Sequence, residues 1–176
     1  VVRDVAVMIA IGVLADGHRS VLGLSVSLSE AEVHWRQFLT SLTKRGLHGV
    51  ELITSDDHAG LKAARKAVLG SVLWQRCQFH LQQNAQAHVP KKAMQTKVAE
   101  DIRDVFNAPD RDQAQQRLQA AVDRYSASAP DLSSWMEDNL PEGLSVFAIP
   151  KVHRRMLRTS NWLENLNGKL RKRTSV

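Results

Sequence analysis

The sequence predicts an α/β fold with mixed strand directions, followed by a long helical stretch. Three observations predict it. Through the first half, apolar runs and helical patterns follow in the order strand, strand, helix, strand, helix, strand. The first two strands are joined by a tight turn signal, so they run antiparallel. From Phe79 onward the apolar spacing turns helical and no convincing strand pattern recurs.

The run from Val5 to Ile11 is almost continuously apolar, which predicts a strand buried on both faces. Ala15-Asp16-Gly17-His18 supplies the hairpin turn. Beyond it Leu22, Leu24, Val26 and Leu28 alternate with Gly23, Ser25 and Ser27, the pattern of a strand with one face covered. Ser29 and Glu32 have capping-box spacing ahead of a helix carrying Ala31, Trp35, Phe38 and Leu42, and Gly46 supplies its stop. A strand over 50–54 then runs into Thr54-Ser55-Asp56-Asp57-His58. A helix to Gly70, a short strand at Val72–Trp74 and a corner from Gln75 to His80 follow.

Turn signals at Asn107–Asp110, Ser126–Asp131 and Leu140–Gly143 divide the remainder into helices. One carries a stripe of Leu118, Val122 and Tyr125, and Trp135 with Met136 anchors another. A last helix is expected over about 160–172. Three segments result: an α/β part over 1–89, a helical insertion over 90–150, and a basic segment over 151–176.

A hydrophobic content of 43% and a charged content of 24% are ordinary globular values and exclude wholesale disorder. The longest apolar run, Val5–Val13, is too short to span a bilayer, so no membrane span is expected. A single cysteine excludes an intramolecular disulfide and suits a reducing, cytoplasmic setting. The chain begins at Val1 without an initiator Met, which reads as a piece whose start lies upstream.

Charge is unevenly placed. Residues 151–176 carry Lys151, Arg154, Arg155, Arg158, Lys169, Arg171, Lys172 and Arg173 against one acid, Glu164, whereas the preceding residues are close to neutral. The whole net charge of +6 therefore resides in this terminal block. Such a block is the footprint of a polyanion partner, most often nucleic acid, or else a solvated basic tail.

Asp56 and Asp57 stand at the carboxyl end of a strand beside a helix start, where α/β proteins place ligands and chemistry. Adjacent residues of an extended chain point to opposite sides, so one of the two faces a given site. That acid can help hold Mg²⁺, a hard cation that prefers oxygen ligands, or it can N-cap the following helix. Glu164 has the same two readings: a salt-bridged surface acid beside Arg158 or Lys169, or a second metal ligand within a basic surface. Metal-assisted phosphoryl transfer combines these features, since cations clamp the attacking and leaving oxygens. Cys77 and His80 have zinc-like spacing but lack the further cysteines of a structural zinc site. A buried thiol and a hydrogen-bonded imidazole bracing the corner account for them better.

Together these stretches resemble the Mutator-type transposases of bacterial insertion sequences. The resemblance is carried by Ile11–Gly17, Val21–Leu24, Arg45–Leu47, Ser55-Asp56-Asp57-His58-Ala59-Gly60-Leu61, Gln75-Arg76-Cys77 with His80 and Asn84, and Thr159-Ser160-Asn161 with Leu163, Glu164 and Asn167. These run in family order along nearly the whole chain. The resemblance implies a ribonuclease-H-like mixed sheet with a helical insertion before the last catalytic helix, its first strand missing from this chain. It implies an Asp-Asp-Glu triad using Mg²⁺ or Mn²⁺, in which Asp56 is the second acid and Glu164 the third.

Arg76, Cys77, His80 and Asn161 would support that site. Arg154, Arg155, Arg158, Lys169, Arg171, Lys172 and Arg173 would contact DNA, at terminal inverted repeats and at the target, in a homo-oligomer that joins two DNA ends. The family's first Asp falls upstream of Val1, since neither Asp4 nor Asp16 aligns with it, and the isolated chain is therefore expected to be inactive. Asp57, Gln83 and Asn165 depart from the residues usual at their positions. The alternative is a DNA-binding remnant, or a reused interaction domain, without catalysis.

Overall fold

In the computed structural model, which describes residues 5–174 but not the side chains of Leu170, Arg171 and Thr174, the chain is a mixed α/β protein. It divides into two compact units. One comprises the described residues up to Leu73 together with those from Ser160 onward, and the other runs from Trp74 to Thr159.

The first unit opens with strand β1, Ala6–Val13, antiparallel to β2, Arg19–Ser27. The turn forms where the sequence places it. Gly17 has φ of 84°, a left-handed conformation that glycine adopts without strain, and its N–H donates to the Leu14 carbonyl at 2.8 Å. Helix α1, Glu32–Lys44, buries Phe38, Leu39 and Leu42 against Met8 and ends at Gly46, whose φ is 98°. Strand β3, Leu52–Ser55, leads to helix α2, Ala59–Val68, whose Ala64 is fully buried in the same core. Helix α8, Asn161–Thr174, also belongs to this unit.

Two expectations for the hairpin fail, for one reason. The face of β2 that α1 covers carries Gly23 and Ser25, not the alternating Leu24, Val26 and Leu28, which are 55%, 58% and 71% exposed. A side chain at Gly23 would come within 2.7 Å of Leu42 and 3.3 Å of Phe38, so the helix rests on this strand because it is small there. The register shifts at Ala10/Ile11, leaving Leu22 as the extra residue, and this bulge turns Leu22 to the α1 side beside Gly12. Nor is β1 buried on both faces: Val7, which pairs with Val26, is 48% exposed. Alternation identifies two faces of a strand but cannot say which a helix will choose.

The expected capping box is likewise absent. Ala31 is the N-cap of α1 and offers no side-chain cap; Ser29 Oγ instead accepts from Ala31 N–H at 3.4 Å, and Glu32 pairs with Arg36.

Strand β4, Leu73–Arg76, leads into the second unit. Its helices are α3 (Gln78–Ala85), α4 (Gln95–Phe106), α5 (Arg111–Tyr125), α6 (Pro130–Asn139) and α7 (Lys151–Leu157), with tighter 3₁₀ turns between several of them. Asp110 caps α5 by accepting from Gln113 N–H at 2.8 Å, and Pro130 opens α6 with its φ already suited to a helix. The stripe read from the sequence is the core: Leu118, Val122 and Tyr125 pack with Leu81, Ile102, Leu132 and Met136.

At the edge of that core the Tyr125 hydroxyl donates to Asp101 Oδ2 at 2.7 Å, and Arg124 and Lys97 also reach Asp101. Burial raises the Asp101 pKa, but hydrogen bonds from Lys97, Tyr125 and Arg124 outweigh it and leave the carboxyl below its ordinary value. Burial and the neighbouring Asp101 push the Tyr125 phenol up to about 12. A raised phenol pKa favours folding below the unfolded value of about 10, and this contribution is lost as pH climbs from there to about 12. Tyr125→Phe should therefore cost about 1 kcal/mol at neutral pH, and the gap from the parent protein should narrow between pH 10 and 12. Urea unfolding across that range checks it; a gap that is constant with pH would contradict the assignment.

Candidate active site

The first unit carries the acids. Asp56 and Asp57 are exposed on the three-residue link from β3 to α2. Asp57 forms an ion pair with Lys62 at 2.8 Å, which gives it a surface role. Neither acid caps α2. That position falls to His58, whose Nδ1 accepts from Leu61 N–H at 3.4 Å while Nε2 lies 3.4 Å from Glu30 Oε2. Accepting at Nδ1 leaves the proton on Nε2 in the neutral ring, the tautomer that can donate to Glu30.

Gly60 completes the link. A Cβ there would meet the Glu30 carbonyl at 2.6 Å and the Glu32 nitrogen at 2.9 Å, both backbone atoms that cannot swing aside. The first turn of α2 thus lies directly against the start of α1, and the position of Asp56 follows from that contact. Sequence reasoning missed Glu30 and the reason for Gly60. Their signal is faint, because a glycine in the first turn of a helix announces close approach without naming its partner.

Glu164 is exposed in the first turn of α8, where the positive end of the helix dipole favours a carboxylate. The Ser160 hydroxyl donates to its Oε1 at 3.2 Å, and the Ser160 carbonyl accepts from Leu163 and Glu164 N–H at 2.8 and 3.2 Å. Asn161 is the exposed first residue of the helix, and the Arg19 guanidinium lies 5.8 Å from the centroid of the Trp162 ring. Asp56 and Glu164 therefore stand in one compact unit although the entire second unit separates them in sequence. Lys169, Lys172 and Arg173 are exposed further along α8; the side chain of Arg171 lies outside the described residues.

The second unit holds the corner residues. Cys77 is fully buried and is the N-cap residue of α3, and its Sγ and a His80 ring nitrogen lie within 4.8 Å of each other. Arg76, only 5% exposed, donates to Asn139 Oδ1 at 2.9 Å and to Glu142 Oε2 at 3.1 Å. Two buried amides flank this corner. Gln75 donates to the Gly143 carbonyl at 2.7 Å and accepts from Val146 N–H at 2.7 Å, while Gln78 donates to the same carbonyl at 2.8 Å. Sequence reasoning placed Gln75 in the corner and in the resemblance but gave neither glutamine a packing role, since a polar residue in a short strand or at a helix start ordinarily reads as solvent-facing.

The basic residues of α7 differ among themselves. Arg154 donates to the carbonyls of Ile149, Phe147 and Pro109 at 2.9, 3.1 and 3.0 Å, with its guanidinium 5.2 Å from the Phe147 ring centroid. Arg158 donates to Asn107 Oδ1 at 2.8 Å, and its own carbonyl accepts from Gln78 N–H at 3.0 Å. Lys151 and Arg155 are exposed.

Comparison with known proteins decides the family. The model of the Mutator family of transposases matches residues 1–176. The chain belongs to the Mutator family of transposases. Among its relatives, the transposase for insertion sequence element IS406 of Burkholderia multivorans is 55% identical over 173 residues, covering 98% of this chain and 45% of that protein. The transposase for ISRM5 of Rhizobium meliloti is 40% identical over 176 residues, all of this chain and 44% of that protein. The transposase for IS256 in transposon Tn4001 of Staphylococcus aureus is 30% identical over 174 residues, 96% of this chain and 43% of that protein. The chain thus spans less than half the length of each of these three. No helix among the described residues is long and apolar enough to cross a membrane.

Gly60→Ala should destabilise the first unit by about 1–3 kcal/mol, because the added methyl forces backbone apart. Urea denaturation checks this, and unchanged stability would show that α2 does not lie against Glu30. Gln75→Ala should cost a similar amount, chiefly through the Val146 N–H left without its acceptor, since Gln78 still donates to the Gly143 carbonyl; a neutral result in the same measurement would remove the amide clamp.

Proposed function

We propose that this chain is the catalytic part of a DNA transposase with a ribonuclease-H-like core, in which Asp56 and Glu164 hold a divalent cation. The observation that carries the reading is their return to one compact unit across the whole of the intervening one. Membership of a family whose relatives are named as insertion-sequence transposases supports it.

The residues fit such an ion. Both are exposed carboxylates, and oxygen donors of this kind suit Mg²⁺ or Mn²⁺. When bound, the metal would polarise phosphoryl oxygens and ease formation of the attacking nucleophile. The chain's own residues then have distinct tasks. The β3 terminus and the packed first turn of α2 present Asp56, while Asp57 is engaged by Lys62 and stands apart from the chemistry. The Ser160 hydroxyl orients Glu164 at the start of α8, with Asn161 beside it. Arg76, Cys77 and His80 act by bracing their corner. The exposed cations of α7 and α8 draw DNA phosphates to the protein, at element ends and at the target, within a homo-oligomer. The reaction is hydrolytic cleavage at an element end, followed by attack of the freed 3′ hydroxyl on target DNA.

An excision assay in cells, with the full open reading frame that encodes this chain, tests the reading. Asp56→Ala and Glu164→Ala should each reduce excision to background, whereas Asp57→Ala should retain most of it. The purified product of that full reading frame should lose cleavage on chelation of divalent cations and regain it with Mg²⁺ or Mn²⁺. Full excision by the Asp56 or Glu164 variant would contradict the assignment, as would loss at Asp57 equal to that at Asp56.

A further inference from the structure

The second unit contains a recess of about 220 Å³ whose lining includes four cations, Lys151, Arg154, Arg155 and Arg158, together with Asn107 and Phe147. No carboxylate among the described residues lines it. Like charges gathered without a counter-charge repel one another, so the arrangement has a cost unless an anion enters. Its cations fall into two kinds. Arg154 is held by three backbone carbonyls and by the Phe147 ring, and Arg158 is held by Asn107, so their positions are fixed before any ligand arrives. Lys151 and Arg155 are exposed at the rim and form no ion pair among the described residues. The engaged guanidinium groups hold positive charge in the wall, and the exposed cations at the rim have N–H donors to give to a phosphate.

We propose that this recess is a seat for backbone phosphates of DNA, with Lys151 and Arg155 making the contacts and Arg154 and Arg158 shaping the wall and supplying its field. The proposal rests on the transposase reading for the identity of the polyanion and goes beyond it. It narrows the contact made by α7 to one recess and to Lys151 and Arg155, and gives Arg154, which simple charge counting would also offer, a place in the wall. Contacts of this kind position the strand without reading its sequence.

The test is fluorescence anisotropy of the chain with a labelled duplex oligonucleotide over a range of salt. Lys151→Ala combined with Arg155→Ala should weaken binding roughly tenfold or more and lower the salt slope by about 2, one for each lost phosphate contact. Lys91→Ala with Lys92→Ala removes the same charge from exposed positions elsewhere in the unit and should leave the slope nearly unchanged. Equal effects of the two pairs would overturn the seat in favour of diffuse attraction, as would absence of DNA binding by the unsubstituted chain. Failure of the seat is thus read in binding, whereas failure of the transposase reading is read in excision by the acid variants.

Discussion

The first turn of α2 lies against the backbone of Glu30–Glu32, and only the missing side chain of Gly60 permits it. From that contact the rest of the corner follows. His58 caps the helix and reaches Glu30, Asp57 turns to Lys62, and Asp56 is left at the end of β3 on a link of three residues. A strand end fixed on one side and a helix start fixed on the other leave a short link little conformational freedom. A carboxylate that is to hold a cation profits from this, because the entropy of positioning it is settled by folding.

The second unit depends on a different kind of interaction. Its helices share an apolar core, but the approach from β4 is closed by polar groups: Gln75 and Gln78 on Gly143 and Val146, and Arg76 on Asn139 and Glu142. Gly143 has to be small as well, since a Cβ there would come within 2.7 Å of Leu81 and 2.8 Å of Phe106. Each buried amide is paired, so this network fixes one arrangement instead of merely adding cohesion. Arg154 continues the theme by closing three carbonyls around α7. A residue that charge alone would assign to DNA thereby serves the fold.

Much of this was legible from periodicity and turn chemistry. The hairpin around Gly17, the stop of α1 at Gly46, the strand-to-helix link at Asp56 and the core stripe of Leu118, Val122 and Tyr125 are local signals, and local signals survive tertiary packing. What could not be read depended on partners distant in sequence. The covered face of β2 was set by Phe38 and Leu42 settling over Gly23, and by a bulge that moved Leu22 across the strand. The cap of α2 went to His58 because Glu30 was present to receive its other nitrogen. For the site, the family resemblance singled out Asp56 and Glu164, and the structure returns both to one unit. The separate duties of Asp57, Arg154 and Arg158 appear only once their partners are in place.

The central claim is that Asp56 and Glu164 serve one metal centre, and anomalous diffraction from a crystal of this chain soaked in Mn²⁺ tests it most directly. The account predicts a peak bonded to oxygens of both carboxylates, or a close pair of peaks each bonded to one, at metal–oxygen distances near 2.1 Å. Manganese bound elsewhere, or at one acid with the other carboxylate on a remote surface, would contradict it.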